Sequence, residues 1–81
     1  MIMINMEKIK VDEFLKNAKT AKKNVALEVV NGYLVFFDFA DKDEKYTMNN
    51  DVILLYKPLY EPYNDELMIP YNNVVKLIDE L

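Results

Sequence analysis

The clearest periodic pattern in the chain is a run of apolar residues spaced for one face of a helix. The residues on this face are Val11, Phe14, Leu15, Ala18 and Ala21. Lysines follow on the remaining surface, at Lys16, Lys19, Lys22 and Lys23. Asp12 belongs to a residue type that caps helix N-termini, and late lysines suit the helix dipole. The pattern predicts a helix from about Asp12 to Lys23.

Asn31-Gly32 is the strongest turn signal, because both residue types tolerate the positive φ angles of a type I′ turn. It joins two segments rich in β-branched and aromatic residues, Val25–Val30 and Tyr33–Phe39. A two-residue loop pairs Val30 with Tyr33. One face, expected to pack on the helix, then holds Val25, Leu27, Val29, Leu34 and Phe36. The other face, expected to be partly covered, holds Ala26, Glu28, Val30, Tyr33, Val35 and Phe37.

Shorter apolar runs follow the hairpin. Asp51 to Lys57 is almost continuously apolar, which predicts a strand covered on both faces, and Lys45–Met48 can add a short strand. We expect the prolines at positions 58 and 62 to break the ladder. Leu67 to Ile69 then returns as a short strand.

The end of the sequence predicts a second helix, capped by Asn72 or Asn73. Its apolar stripe is Val74, Leu77, Ile78 and Leu81. These elements predict one α+β domain over residues 1–81. It is a small antiparallel sheet of three to four strands, built on the Asn-Gly hairpin, with an N-terminal and a C-terminal helix packed on one face. Which of Met1, Met3 and Met6 starts the protein is left open.

Composition removes most catalytic chemistry. The 81 residues include no cysteine, histidine or serine, and one glycine. Thiolate, imidazole and serine groups are therefore missing, and a glycine-rich phosphate loop cannot form. Oxygen ligands are available at Asp38, Asp41, Asp43 and Glu44, but without the central glycine and distal glutamate of a calcium loop. We expect a non-enzymatic protein with no metal and no cofactor.

Charge and tyrosine content indicate a binding surface. The net charge is −4, and the 57 residues from Val25 onward carry four lysines against eleven acids. Tyrosine combines a large contact area with a polar tip, and acidic loops steer basic partners. The expected partner-binding residues are Asp41, Asp43, Glu44, Tyr56, Tyr60, Glu61, Tyr63, Asp65 and Glu66.

The leading functional hypothesis is a small protein-binding module that occupies a basic surface of a larger protein, such as a nucleic-acid-processing enzyme. The residue usage resembles that of AT-rich coding sources, since arginine is absent and lysine, asparagine and isoleucine are frequent. This usage favours a phage or mobile-element inhibitor of a host defence enzyme, anti-CRISPR-like in type, acting in the cytoplasm of a bacterial host. The sequence contains no run of about eighteen apolar residues, so we expect no membrane partner.

Two other classes of function stay open. The first is an obligate homo-oligomer, with a homodimer as its simplest form, that pairs through Ile2 and Ile4 and through Val30, Tyr33, Val35 and Phe37. The second is weak nucleic-acid binding through Lys16, Lys19, Lys22 and Lys23. Nucleic acid is the less favoured partner, because the face has neither arginine for bidentate contacts nor aromatic residues for stacking.

Overall fold

A computed structural model of the chain describes residues 7–41, 44–49, 51–60 and 63–79. These residues form the helix α1 (Lys8–Ala21) and six strands. The strands are β1 (Asn24–Val29), β2 (Leu34–Asp38), β3 (Lys45–Met48), β4 (Val52–Tyr60), β5 (Tyr63–Pro70) and β6 (Val74–Ile78), with a 3₁₀ turn at Tyr71–Asn73. They build two three-stranded antiparallel sheets, ordered β2-β1-β6 and β3-β4-β5. The expected single sheet with an N-terminal and a C-terminal helix packed on one face is therefore wrong.

The N-terminal helix is confirmed, but it begins four residues earlier than expected. Glu7 is the N-cap residue, and Asp12 lies inside the helix, where its carboxylate is 3.0 Å from the ammonium of Lys16. The helix ends at Lys22, which has a left-handed φ of 56°. The N–H groups of Lys22 and Lys23 donate to the carbonyls of Lys19 and Ala18, the Schellman pattern of a helix C-terminus.

The Asn-Gly hairpin forms, but its loop has three residues and not two. Val29 pairs with Tyr33, and the N–H of Gly32 donates to the carbonyl of Val29 at 2.8 Å. Gly32 has a φ of +82°, whereas Asn31 has no positive φ. This is a turn followed by a left-handed glycine, the usual three-residue hairpin loop. The register moves by one residue, which places Leu34 opposite Glu28 and exchanges the two faces of β2.

A strand, β6, occupies the place of the expected C-terminal helix. Val74 and Val75 are β-branched, and Asp79 would lie at the negative end of a helix dipole. A helix this short is also marginal without tertiary contacts. The extended segment instead pairs antiparallel with β1, where Lys76 stands opposite Glu28. Such an opposite-charge pair adds to the stability of the ladder.

Pro58 does not break the β4–β5 ladder as expected, and Pro62 lies outside the described residues. β4 continues through Pro58, which pairs with Asn64 of β5, and a register irregularity follows before Tyr60. The last β4 residue paired with β3 is Tyr56. The N–H of Asn49 donates to the carbonyl of Val52, so Val52 directs its backbone groups toward β3. Every second residue of β4 does the same, and position 58 belongs to this series. The N–H that Pro58 lacks would point past the end of β3, so its absence removes no hydrogen bond between β3 and β4.

One cluster of buried side chains joins the helix to both sheets. Its members are Val11, Leu15, Ala18, Val25, Leu27, Phe37, Phe39, Ile53, Leu55, Ile69 and Val74. The helix contributes the apolar face predicted from its spacing, except that Ala21 is exposed. Phe37 is fully buried, although the sequence had assigned it to the partly covered face. Burial of this cluster is what fixes the two sheets around α1.

Candidate functional site

A groove separates the two sheets where β2 begins and β5 ends. Its volume is about 460 Å³. The groove is lined by Val29, Asn31, Tyr33, Leu34, Val35, Leu67, Met68, Ile69, Pro70 and Asn73, all of which are uncharged. β2 and β5 are both outer strands of their sheets. An uncharged groove between two outer strands is suited to an apolar protein segment.

Large apolar side chains line this groove and are open to solvent. Tyr33 is 71% exposed and Met68 is 62% exposed, while Leu34 and Leu67 are partly exposed. Leu34 is exposed because the three-residue loop turns it away from the core. The same loop turns Val35 inward, where it packs against the buried cluster. The hairpin loop thus decides which apolar residues of β2 are available for contact.

The β4–β5 hairpin continues past the first residue of β3. Four residues of β4 lie past Tyr56, a distance of about 13 Å at the usual rise of a strand. We call this two-stranded extension the ribbon; its described backbone covers 57–60 and 63–65. In its register, Asp65 stands opposite Lys57, and Tyr60 stands opposite Tyr63. Tyr56 and Glu66 pair at its base.

The expected partner-binding residues are partly brought together by this arrangement. The backbones of Tyr56, Tyr60, Tyr63, Asp65 and Glu66 lie along the hairpin. Glu44 is half-buried beside Lys45, which pairs with Tyr56, so it lies at the same end of the sheet. Asp41 is exposed, and its carbonyl accepts the N–H of Glu44. Asp43 and Glu61 lie outside the described residues.

Two of the lysines proposed for nucleic-acid contact, Lys16 and Lys23, are paired with carboxylates. Lys16 pairs with Asp12, and the ammonium of Lys19 lies 5.7 Å from the centre of the Tyr46 ring. Lys23, past the end of α1, is 3.3 Å from the carboxylate of Asp79, which follows β6. Carboxylates thus interrupt the lysine series, which weakens attraction to a phosphate backbone.

Among the titratable groups of the described residues, Tyr46 has a shifted pKa. Its ring contacts those of Phe37 and Phe39, with centroid separations of 6.2 Å and 5.7 Å. Burial raises the pKa of the Tyr46 hydroxyl above 10.0, and the nearby Asp12 carboxylate raises it further. Because the neutral form is favoured, Tyr46 stays protonated and can donate a hydrogen bond throughout the physiological range.

The described residues contain neither a metal-binding group of side chains nor a membrane-spanning helix. Within 7–41, 44–49, 51–60 and 63–79, no group of three or more acidic, cysteine or histidine side chains is arranged to hold a metal ion. Across the same part of the chain, no helix is both long enough and apolar enough to span a bilayer.

Sequence reasoning missed the groove and its residues Leu34, Leu67 and Met68. Leu34 was assigned to the core, and Leu67 to a short strand without a role. The available signal was the alternative hairpin loop, since Asn-Gly also fits a three-residue loop with glycine last. Comparisons with protein-family models, with curated proteins and with solved structures found no match in any of the three.

Proposed function

We propose that this chain is a non-enzymatic protein-binding module that holds a larger basic protein against the groove between β2 and β5. The main observation in support of this proposal is a cluster of exposed apolar side chains in the groove: Tyr33, Leu34, Leu67 and Met68. Continuous apolar patches on small proteins often mark interaction sites. Aromatic residues and methionine are enriched at such interfaces, while charged residues are depleted at their centres.

The charge around the groove supports a basic partner. The groove itself is uncharged, and β5 leads directly from Leu67 to Glu66 and Asp65 at the ribbon. The chain as a whole carries a net charge of −4. An uncharged groove on a chain of net negative charge complements a partner surface that combines an apolar contact with an excess of lysine or arginine. Such a partner binds faster at low salt than at high salt.

An inhibitor of a host defence enzyme is one role that this module would serve. An inhibitor of anti-CRISPR type, made by a phage or another mobile element, would act in the bacterial cytoplasm on a basic nucleic-acid-processing enzyme. The support for this finer assignment is the residue usage of the chain and the acidic character of residues 25–81. An adaptor that joins two proteins would use the same groove.

The test compares two variants that receive the same change at similar exposure. Met68→Glu places a charge in the groove, whereas Ile9→Glu places one on α1, where Ile9 is 70% exposed. Tagged wild-type and variant proteins capture partners from a nuclease-treated lysate of a low-GC bacterium. We expect a basic protein to be retained by the wild type and by Ile9→Glu, and lost with Met68→Glu.

The retained protein is then purified, and its Kd is measured by isothermal titration calorimetry. Met68→Glu should raise the Kd by at least about tenfold, because a charge becomes buried without a partner at the interface. Equal affinity for all three proteins would contradict the proposal, as would a partner that is captured only when the nuclease treatment is omitted.

Self-association is a second candidate, supported by the outer strands and by the same exposed apolar residues. The residues first considered for it differ in exposure: Phe37 is buried and Val35 is half-buried, whereas Val30 and Tyr33 are exposed. Ile2 and Ile4 lie outside the described residues. Leu34→Lys therefore tests it better than a change at Val35, which would disturb the core. If copies pair through β2, light scattering should report an oligomer for the wild type and a folded monomer for Leu34→Lys. A monomeric wild type at the highest soluble concentration would contradict it.

A further inference from the structure

A second cleft lies on another side of the molecule, between α1 and β3. It consists of two adjoining depressions of about 460 Å³ and about 260 Å³. The helix lines it with Lys8, Ile9, Asp12, Lys16 and Lys19, and the strand lines it with Tyr46, Thr47 and Met48. The helix positions follow one line along α1, at intervals of three to four residues. We call this feature the α1–β3 cleft.

The strand side of the α1–β3 cleft is the outer edge of β3. The N–H of Asn49 donates to the carbonyl of Val52, so odd-numbered residues of β3 bond to β4. Alternation along an antiparallel ladder then directs the N–H and carbonyl groups of Tyr46 and Met48 away from β4. An outer strand with donors and acceptors in this order is a template for one more strand.

The helix side of the cleft has a positive net charge, whereas the whole chain has a negative one. Three lysines and one aspartate line it, which leaves a local net charge of +2 where the whole chain has −4. Asp12 is ion-paired with Lys16, so Lys8 and Lys19 contribute most of the excess positive charge. Because alternate side chains of an extended strand point to opposite faces, this surface complements acidic side chains at every second position.

We infer that the α1–β3 cleft binds an extended acidic peptide segment of a partner protein, which adds to the outer edge of β3 as a further strand. Its backbone would bond to Tyr46 and Met48, and its carboxylates would lie near Lys8 and Lys19. The peptide is favoured over a nucleic acid because phosphate only accepts hydrogen bonds. Phosphate would leave the outward carbonyls of β3 unpaired. This site is separate from the groove and does not depend on the function proposed for it.

The test uses a fluorescein-labelled hexapeptide of alternating glutamate and valine, and fluorescence anisotropy at two salt concentrations. Two control peptides replace glutamate by glutamine, or carry N-methyl groups on one edge of the strand. The cleft variant is Lys8→Gln with Lys19→Gln. The matched control is Lys10→Gln with Lys76→Gln, which removes the same charge outside the cleft. Amide NMR shifts of Tyr46 and Met48 locate the bound peptide.

We expect the glutamate peptide to bind more weakly as salt rises, and to shift the amides of Tyr46 and Met48. The cleft variant should lower its affinity about tenfold, and the control variant and Met68→Glu should leave it unchanged. The absence of binding would overturn the inference, as would equal binding of either control peptide. Competition by oligothymidine for the same amides would also overturn it, because the occupant would then be a nucleic acid. A shift of those amides with protein concentration alone would overturn it as well, because the occupant would then be a second copy of the chain.

Discussion

Gly32 is the residue on which the register of the first sheet depends. It has the left-handed φ of +82° that closes the three-residue loop, and a Cβ atom placed there would contact nothing within 4 Å. The cost of replacing it is therefore conformational and not steric. Asn31, its neighbour in the turn signal, has no positive φ and carries no such constraint.

Gly32→Ala should lower the free energy of unfolding by about 1 kcal/mol, because a side chain disfavours the left-handed region. Gly32→Asn should cost less than half of that, since asparagine tolerates the conformation. Asn31→Ala should change stability by less than about 0.5 kcal/mol. Urea denaturation followed by circular dichroism measures all three. A loss for Asn31→Ala comparable to that for Gly32→Ala would indicate the two-residue type I′ turn, in which both residues have a positive φ.

The same residues show how far sequence reasoning reached at this scale. Asn31-Gly32 located the hairpin correctly, because glycine and asparagine both favour turns. It did not determine the loop length, since two-residue and three-residue loops accept the same dipeptide. Asp12 was assigned as the cap on its residue type alone. Its ion pair with Lys16 was equally compatible with a position inside the helix.

At the scale of elements, β2 shows what a shift of one residue does. Phe36 and Phe37 are neighbours of the same type, yet Phe37 is fully buried and Phe36 is 49% exposed. Periodicity could not distinguish them, because Leu34 to Phe37 are all apolar and either register buries two of them. Only the loop decides, and the groove follows from that decision.

Phe37→Ala should destabilise the protein by about 3–5 kcal/mol, because it leaves a cavity in the cluster shared by both sheets. Phe36→Ala should cost about 1 kcal/mol or less, since half of its ring is already in solvent. Thermal unfolding of the two variants gives the comparison directly. If Phe36→Ala proved the more damaging change, the opposite register of β2 would be correct.

The C-terminal element shows a different limit. The apolar residues of 74–78 suit a helical stripe, and they also suit a strand that is partly covered on both faces. The segment is a strand because it pairs with β1, which lies about fifty residues away along the chain. Tertiary pairing of this kind overrides local preference in short segments. No local pattern in the sequence records it.

At the scale of the molecule, the buried cluster makes the helix and the two sheets one structural unit. Ile53 of β4 and Leu27 of β1 belong to different sheets and to the same cluster. Loss of packing at one of these residues should therefore lower the stability of both sheets. A protein of this size is stable by only a few kcal/mol, which leaves little for either sheet alone.

Ile53→Val should lower the free energy of unfolding by about 1 kcal/mol. Native-state hydrogen exchange should report the same loss for slow amides of β1 as for those of β4, because both open only by global unfolding. Thr20→Ser, at an exposed position of α1, should leave both unchanged. A loss confined to β4 would mean that the two sheets unfold independently.

Residue type alone carried the prediction of the partner-binding residues. Tyrosines and acids drew attention to residues 56–66, and the backbones of 56–60 and 63–66 lie along the β4–β5 hairpin, at the same end of the sheet as Glu44. The apolar groove and the α1–β3 cleft each combine residues from distant parts of the chain. Leu34 meets Met68, and Lys19 meets Tyr46, only after both sheets have formed.

The position of β6 has a consequence for synthesis on the ribosome. All members of the buried cluster except Val74 have been translated once the chain reaches Ile69. β1 can pair with β2 once both strands have left the exit tunnel, but its other side stays open until Val74–Ile78 follows. During that interval a nascent chain presents a strand edge to its neighbours on a polysome, the circumstance that favours aggregation. Chaperone dependence should therefore fall sharply once this last strand has emerged.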